Sequence, residues 1–211
     1  MPNQTPDPII SALRNLAQSS PQLKPAAQIY EIILPILRDA DLRVTPIEMP
    51  AEYAREKLGR GIPLLRDEAL ALDSSAARDL LIQLAHALEK TPRGPAAKLI
   101  REAFEKNKID VDAFITNVFA NEREHVDTRA QELKLDAALL WTLAQNAVKP
   151  AYRVWAQQFG SLPPQTDWER AECFVCGDLA LLAELQGNDQ ERHLRCGRCG
   201  VDWEYRRLKC I

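Results

Sequence analysis

The chain has 211 residues, a formal net charge of −3, 46% hydrophobic residues and 27% charged residues. This length is enough for a buried core, and the composition is typical of a globular protein. The negative charge excludes a general electrostatic attraction to nucleic acid or anionic lipid. The first residues, MPNQTPDP, lack the basic and apolar regions of a signal peptide, and no apolar run is long enough to span a membrane. We therefore expect a cytoplasmic protein that neither inserts into a membrane nor binds nucleic acid.

Helical patterns follow one another from Asp7 to Phe159. Asp7 followed by Pro8 is typical of a helix start. Residues 25–40 are apolar at helical spacing, and we expect a kink or break at Pro35 because proline removes a helical hydrogen bond. Further helices are predicted over residues 51–61, 73–90, 95–106, 110–120, 123–133 and 136–159, the last kinked at Pro150. The fold class is therefore mainly α, with a multi-helix N-terminal body over residues 1–160.

The pattern changes after the stretch GSLPPQTD, which spans Gly160–Asp167. Its glycine, two prolines and polar residues predict a linker, which we place at residues 161–167. Beyond it, DLALLAEL and ERHLRC predict two strands joined by a turn at Gly187–Asn188, and VDWEYRRL alternates like a third strand. Residues 168–211 are thus predicted to form a small β module, which needs a stabilising cross-link because it is too short for a core of its own.

All five cysteines lie in this last part of the chain, and four of them form two Cys-x-x-Cys pairs, each followed by glycine. Clustered pairs of this kind in a cytoplasmic chain indicate a metal site rather than a disulfide framework. Four thiolates suit one tetrahedral metal ion, and either Zn²⁺ or Fe²⁺/Fe³⁺ accepts such a site. The predicted ligands are Cys173, Cys176, Cys196 and Cys199, in a rubredoxin-like or zinc-ribbon module.

The residues around these cysteines resemble the C-terminal region of the formate dehydrogenase accessory (FdhE-type) family. The likeness includes the segments ERAECFVCG and RHLRCGRCGVDWEYRRLKC, and GRGIPLL (Gly59–Leu65) is similar to a short segment of that family before its central helices. The residues that match the family pattern after the first cysteine pair are Arg192, Leu194, Cys196, Cys199, Trp203, Arg207 and Cys210. The resemblance implies a maturation or chaperone factor that binds the formate dehydrogenase catalytic subunit and helps to form active enzyme.

Members of that family usually carry a second four-cysteine module after the first. Cys210 stands where the first cysteine of that module would be. We therefore expect the second module to be lacking here and Cys210 to be a free or remnant thiol.

A local basic patch accompanies the second cysteine pair. Over the same segment only Asp202 and Glu204 oppose its positive charges. The patch either offsets the negative charge of a four-thiolate centre or forms a docking surface for an acidic partner. The residues predicted to line that surface are Arg192, Arg195, Arg206 and Arg207.

Other titratable residues give no sign of a catalytic site. Glu122 and His125 have the spacing of a di-iron ligand pair, but one such pair is not enough, which favours a solvated helix face. We expect His86, which lies among Leu84, Ala85 and Leu88, to be packed or half-buried and not a ligand. We expect His193 to lie beside the metal ligands or to be exposed, and not to bind the metal itself. No catalytic triad or nucleotide fingerprint is present, and we expect no enzymatic activity.

Three classes of function remain after these observations. The first is the accessory factor that the resemblance implies. The second is an electron-transfer protein with iron at the four thiolates, as in rubredoxin. The third is a zinc-ribbon adaptor that binds nucleic acid, against which the net negative charge argues.

Overall fold

The computed structural model describes residues 7–42, 44–159 and 168–206. Within these ranges the helices are α1 (Pro8–Ser19), α2 (Lys24–Asp39), α3 (Ala51–Gly59), α4 (Ser74–Leu88), α5 (Gly94–Glu105), α6 (Val111–Phe119), α7 (Arg123–Glu132) and α8 (Ala137–Phe159). The strands are β1 (Ala180–Gln186), β2 (Glu191–Cys196) and β3 (Asp202–Glu204). The predicted order of a helical part followed by a small β module is confirmed.

Helices α1 and α2 begin close to the residues that the sequence predicts, but α2 differs from the prediction at its internal proline. The Asp7 carboxylate accepts a hydrogen bond of 2.8 Å from the Ile9 backbone N–H, which caps α1. In contrast, α2 continues past Pro35, so of the expected kink or break, the break does not occur. Pro35 is exposed, and water can therefore solvate the carbonyl group that loses its helical partner. Helix α8 likewise continues past Pro150.

The described residues form two compact units, and the first contains residues 7–41 and 74–148. Its core is built on α4, where the four leucines predicted to share one face are all buried. Ile100 and Phe104 of α5 are also fully buried, and the Phe104 ring meets the Phe114 ring edge-on at a centroid distance of 5.3 Å. Apolar residues at helical spacing thus explain why the helices of this unit pack around a common core.

The second unit contains the described residues 42, 44–73, 149–159 and 168–206, so it joins a segment from early in the chain to the cysteine module. Trp155, in the second half of α8, is completely buried and donates its indole N–H to the Thr45 carbonyl at 3.2 Å. Gln158 accepts a hydrogen bond of 3.2 Å from the backbone N–H of Ile47. Non-local hydrogen bonds of this kind have no signature in sequence periodicity. No pattern in the sequence therefore indicates that residues 44–73 belong with the cysteine module.

The three strands form one antiparallel sheet in the order β1-β2-β3. The turn between β1 and β2 spans residues 187–190, in agreement with the predicted turn at Gly187–Asn188. Leu194 is paired with Trp203 across β2 and β3, and both side chains are buried. This side of the sheet carries the apolar core of the module.

The predicted linker over residues 161–167 lies outside the described residues. The division into a domain at 1–160 and a module at 168–211 therefore stays a prediction. Within the described ranges, no helix has the length and apolar character needed to cross a bilayer.

Candidate metal centre

The four predicted ligands come together at one point in the β module. The sulfur atoms of Cys173, Cys176, Cys196 and Cys199 all lie within 4.8 Å of one another. Two of the separations are Cys173–Cys199 at 3.5 Å and Cys176–Cys196 at 3.4 Å. These distances are far too long for disulfide bonds, which measure about 2.05 Å. The cluster is shielded from solvent, since three of the cysteines are buried and Cys176 is half-buried.

The backbone around each Cys-x-x-Cys pair forms the same tight turn. In the first, the Gly177 N–H donates to the Cys173 carbonyl at 2.9 Å, and in the second the Gly200 N–H donates to the Cys196 carbonyl at 3.2 Å. Both glycines have positive φ angles, of 77° and 81°, which other residues rarely adopt. The glycine after each pair thus lets the chain reverse and brings two sulfurs to the same side.

Hydrogen bonds between the sulfurs shift the pKa values of Cys176 and Cys196 in opposite directions. Hydrogen bonds from the other three cysteines, followed by the Cys199 backbone N–H, lower the pKa of Cys196. Hydrogen bonds with neighbouring sulfurs, Cys173 first, and burial raise the pKa of Cys176. Four thiolates this close repel one another, so full ionisation of the cluster needs a cation in its centre.

The donor set fits one tetrahedral metal ion. A zinc–sulfur bond of about 2.3 Å places the sulfurs of a tetrahedral site about 3.8 Å apart, close to the separations in the cluster. The four cysteines can therefore bind a single metal ion after a small adjustment. Zinc and iron both accept four thiolates in this geometry.

A buried arginine connects the two cysteine turns. Arg198 lies between the cysteines of the second pair, and its side chain is only 6% exposed. Its guanidinium Nε is 3.6 Å from the carboxylate of Asp178, which follows the first pair, and its Cζ lies 5.4 Å from the Tyr152 ring centre. Burial is also the main reason why the pKa of Tyr152 is raised. Arg198 therefore holds both turns against α8.

Replacing Arg198 with methionine should destabilise the second unit by about 1–3 kcal/mol, because Asp178 would lose a buried cationic partner. The range is below that of a fully buried ion pair since Asp178 is 31% exposed. Arg195→Met is the matched control, because Arg195 is 48% exposed in its ion pair with Glu184 and should cost less than about 1 kcal/mol. Urea unfolding of the metal-loaded proteins measures the free energy of unfolding of both variants. An equal loss of unfolding free energy in the two variants would contradict the role of Arg198.

The arginines predicted to form a docking surface have partners within the module. Arg195 bonds to Glu184 at 2.6 Å and Arg206 to Glu169 at 2.5 Å. The Arg192 guanidinium lies 5.4 Å from the Tyr205 ring centre. Arg207 and Cys210 lie outside the described residues. Much of the basic charge is thus balanced locally, and the docking surface stays a prediction.

The three histidines lie outside the sulfur cluster. Glu122 and His125 form an exposed pair at 3.3 Å, as expected for a solvated helix face. His193 is on β2 and bonds to Asp202 at 3.0 Å, outside the sulfur cluster. The prediction for His86 is wrong, because its side chain is 73% exposed and contacts Glu89 at 3.5 Å instead of packing among the leucines.

Residues outside the predicted module also contact the first cysteine turn. The backbone N–H groups of Leu64 and Leu65 donate to the carbonyls of Phe174 and Val175 at 2.9 and 2.8 Å. Lys57, which is 4% exposed, donates to the Leu64 carbonyl at 2.9 Å. The resemblance had singled out Gly59–Leu65, but nothing in the sequence connected that segment to the cysteines.

Comparison with known proteins agrees with the resemblance found in the sequence. The chain is 27% identical over 205 residues to Protein FdhE of Escherichia coli. The match covers 94% of this chain and 61% of the relative, so the chain spans less than two thirds of that protein's length. No protein family profile matches the chain. No solved structure shows significant similarity to it.

Proposed function

We propose that this protein is a cytoplasmic accessory factor for formate dehydrogenase. It binds the catalytic subunit of that enzyme, assists its conversion to the active form and catalyses no reaction itself. One metal ion held by Cys173, Cys176, Cys196 and Cys199 stabilises the module that contains them. The observation that carries the proposal is the similarity to Protein FdhE over nearly the whole chain.

The four-cysteine cluster is compatible with this proposal. The described residues contain no other cluster of three or more His, Cys, Asp or Glu side chains suited to a metal. A buried four-thiolate site accounts for the stability of a small β module, because metal binding contributes directly to its folding. A structural role for the metal is consistent with an accessory factor that acts by binding.

An iron-dependent electron carrier is the second candidate, since the same four sulfurs suit iron. The two candidates differ in colour and in redox behaviour. Protein purified anaerobically from its host would show visible absorption that bleaches on reduction if it carries redox-active iron. A colourless protein with one zinc per chain favours the accessory factor and excludes the electron carrier.

Co-purification from the native host tests the accessory role. A tagged chain, expressed at its natural level, should capture the formate dehydrogenase catalytic subunit, and deleting the gene should lower formate dehydrogenase activity. A chain that captures no such subunit, together with normal enzyme activity in the deletion strain, would overturn the proposal.

The basic residues of the β module are the surface that we propose for docking of the catalytic subunit. Arg192 and Arg195 lie on β2, and their charges would steer the encounter with an acidic partner. The double substitution Arg192→Gln with Arg195→Gln should slow association with the captured subunit and weaken its salt dependence, while the metal content stays the same. Unchanged association kinetics would show that Arg192 and Arg195 have no role in docking, and would leave Arg206 and Arg207 as the remaining residues of the proposed surface.

A further inference from the structure

The loop after α3 holds the first cysteine turn through its backbone. Phe174 and Val175 are the two residues between Cys173 and Cys176, and both are buried. Their carbonyl groups accept hydrogen bonds from the N–H groups of two consecutive residues of that loop, at 2.9 and 2.8 Å. The separation of the first two sulfurs therefore depends on where this loop lies.

Lys57 fixes the loop from its other side. Its side-chain nitrogen donates to the Leu64 carbonyl at 2.9 Å, to the Arg66 carbonyl at 2.5 Å and to the carboxylate of Glu68. The Tyr53 ring centre lies 5.4 Å from the same nitrogen. A lysine is almost never buried unless its charge is paired. The many contacts of this ammonium group are the reason that it can remain inside.

A single peptide group connects the lysine to the cysteine turn. The Leu64 carbonyl and the Leu65 N–H belong to the same peptide unit, which accepts from Lys57 at one end and donates to Val175 at the other. A cation at the carbonyl oxygen polarises that unit and strengthens the donation by its N–H. The ammonium group is thus in electrostatic contact with the turn that carries Cys173 and Cys176.

We propose that Lys57 is a positioning residue for the metal centre. Through the peptide unit between Leu64 and Leu65, it holds the first cysteine turn in the geometry that a metal ion requires. The metal centre therefore includes the segment from Lys57 to Glu68, which precedes the β module by a long stretch of sequence. This inference concerns metal retention and does not depend on the accessory role.

The test compares Lys57→Met with the unaltered full-length protein, each reconstituted with zinc or with cobalt(II). We expect zinc transfer to a chelating dye to be about 10- to 100-fold faster in Lys57→Met, because removing groups that support metal ligands lowers metal affinity by about that factor. The visible absorption of the cobalt protein should shift, because it reports the geometry of the four sulfurs. Hydrogen exchange should show lost protection of the Leu64 and Leu65 amides.

Two control variants separate positioning from general stability. Arg55→Met removes a cation from the exposed side of the same helix, where Arg55 contacts the Ala51 carbonyl, and should leave zinc transfer unchanged. Ile47→Ala removes buried apolar contacts elsewhere in the second unit. The proposal is wrong if Lys57→Met and Ile47→Ala lower the melting temperature by the same amount and Lys57→Met releases zinc no faster. It is also wrong if Lys57→Met leaves the cobalt spectrum unchanged.

A milder variant covers the case in which Lys57→Met does not fold. Glu68→Gln keeps an oxygen acceptor for the lysine but removes the carboxylate charge. Zinc transfer from Glu68→Gln should also be faster than from the unaltered protein, but by a smaller factor than in Lys57→Met. The cobalt spectrum should shift slightly. A folded Glu68→Gln protein with unaltered zinc transfer and unaltered cobalt absorption would also overturn the proposal.

Discussion

Replacing Cys196 with serine will release the metal and unfold the β module. Serine stays a neutral hydroxyl group at neutral pH, so the remaining three sulfurs lose one side of the tetrahedron. Structural zinc contributes about 10–16 kcal/mol of apparent binding free energy in small zinc domains, which exceeds the stability that a module of this size has by itself. Hydrogen exchange should show lost protection over residues 168–206 and weakened protection over 42–73, because both segments belong to one compact unit.

The control for this experiment is another cysteine in the same tail. Cys210→Ser should retain one metal ion per chain and full thermal stability, since the other four cysteines already fill a tetrahedral site. Metal analysis of both purified variants decides the ligand assignment. A Cys196→Ser protein that keeps a full complement of metal, or a Cys210→Ser protein that loses it, would show that the ligands are assigned wrongly.

The parts of the fold that the sequence predicted are those governed by local patterns. The spacing of apolar residues predicted the helices of the first unit, including the buried face of α4. The cysteine spacing and the glycine after each pair predicted the sulfur cluster, because each turn is closed by a hydrogen bond between the glycine and the first cysteine of its own pair. Turn residues also predicted the hairpin, since Gly187 adopts a φ angle of 68° in the turn between β1 and β2.

The parts that the sequence did not predict depend on contacts between distant segments. Within its own segment of the sequence, the basic patch is opposed only by Asp202 and Glu204. Strand pairing brings Glu184 next to Arg195, and the chain before the first cysteine brings Glu169 to Arg206. Similarly, the loop at Leu64 and Leu65 meets the first cysteine turn through backbone groups, which every residue carries and which no pattern of side chains marks.

Replacing Trp155 with alanine should weaken both the second unit and its hold on the metal. Trp155 is completely buried, donates to the Thr45 carbonyl and meets the Tyr152 ring edge-on at 5.7 Å. Removing a buried tryptophan costs about 3–5 kcal/mol. Tyr152 in turn supports the guanidinium of Arg198, which lies in the second cysteine turn. Because metal binding is coupled to folding, the apparent zinc affinity should fall by up to about a hundredfold.

Leu84→Ala is the matched control, because Leu84 is fully buried in the first unit. It should destabilise the protein by about 2–5 kcal/mol through the cavity that it leaves, but its apparent zinc affinity should stay that of the unaltered chain. Competition with a chelator of known affinity, below the melting temperature of each variant, measures the difference. If Trp155→Ala binds zinc as tightly as Leu84→Ala does, the second half of α8 gives the metal centre no specific support. A selective loss in Trp155→Ala would instead mean that packing against α8 contributes to the affinity that the four sulfurs have for their metal.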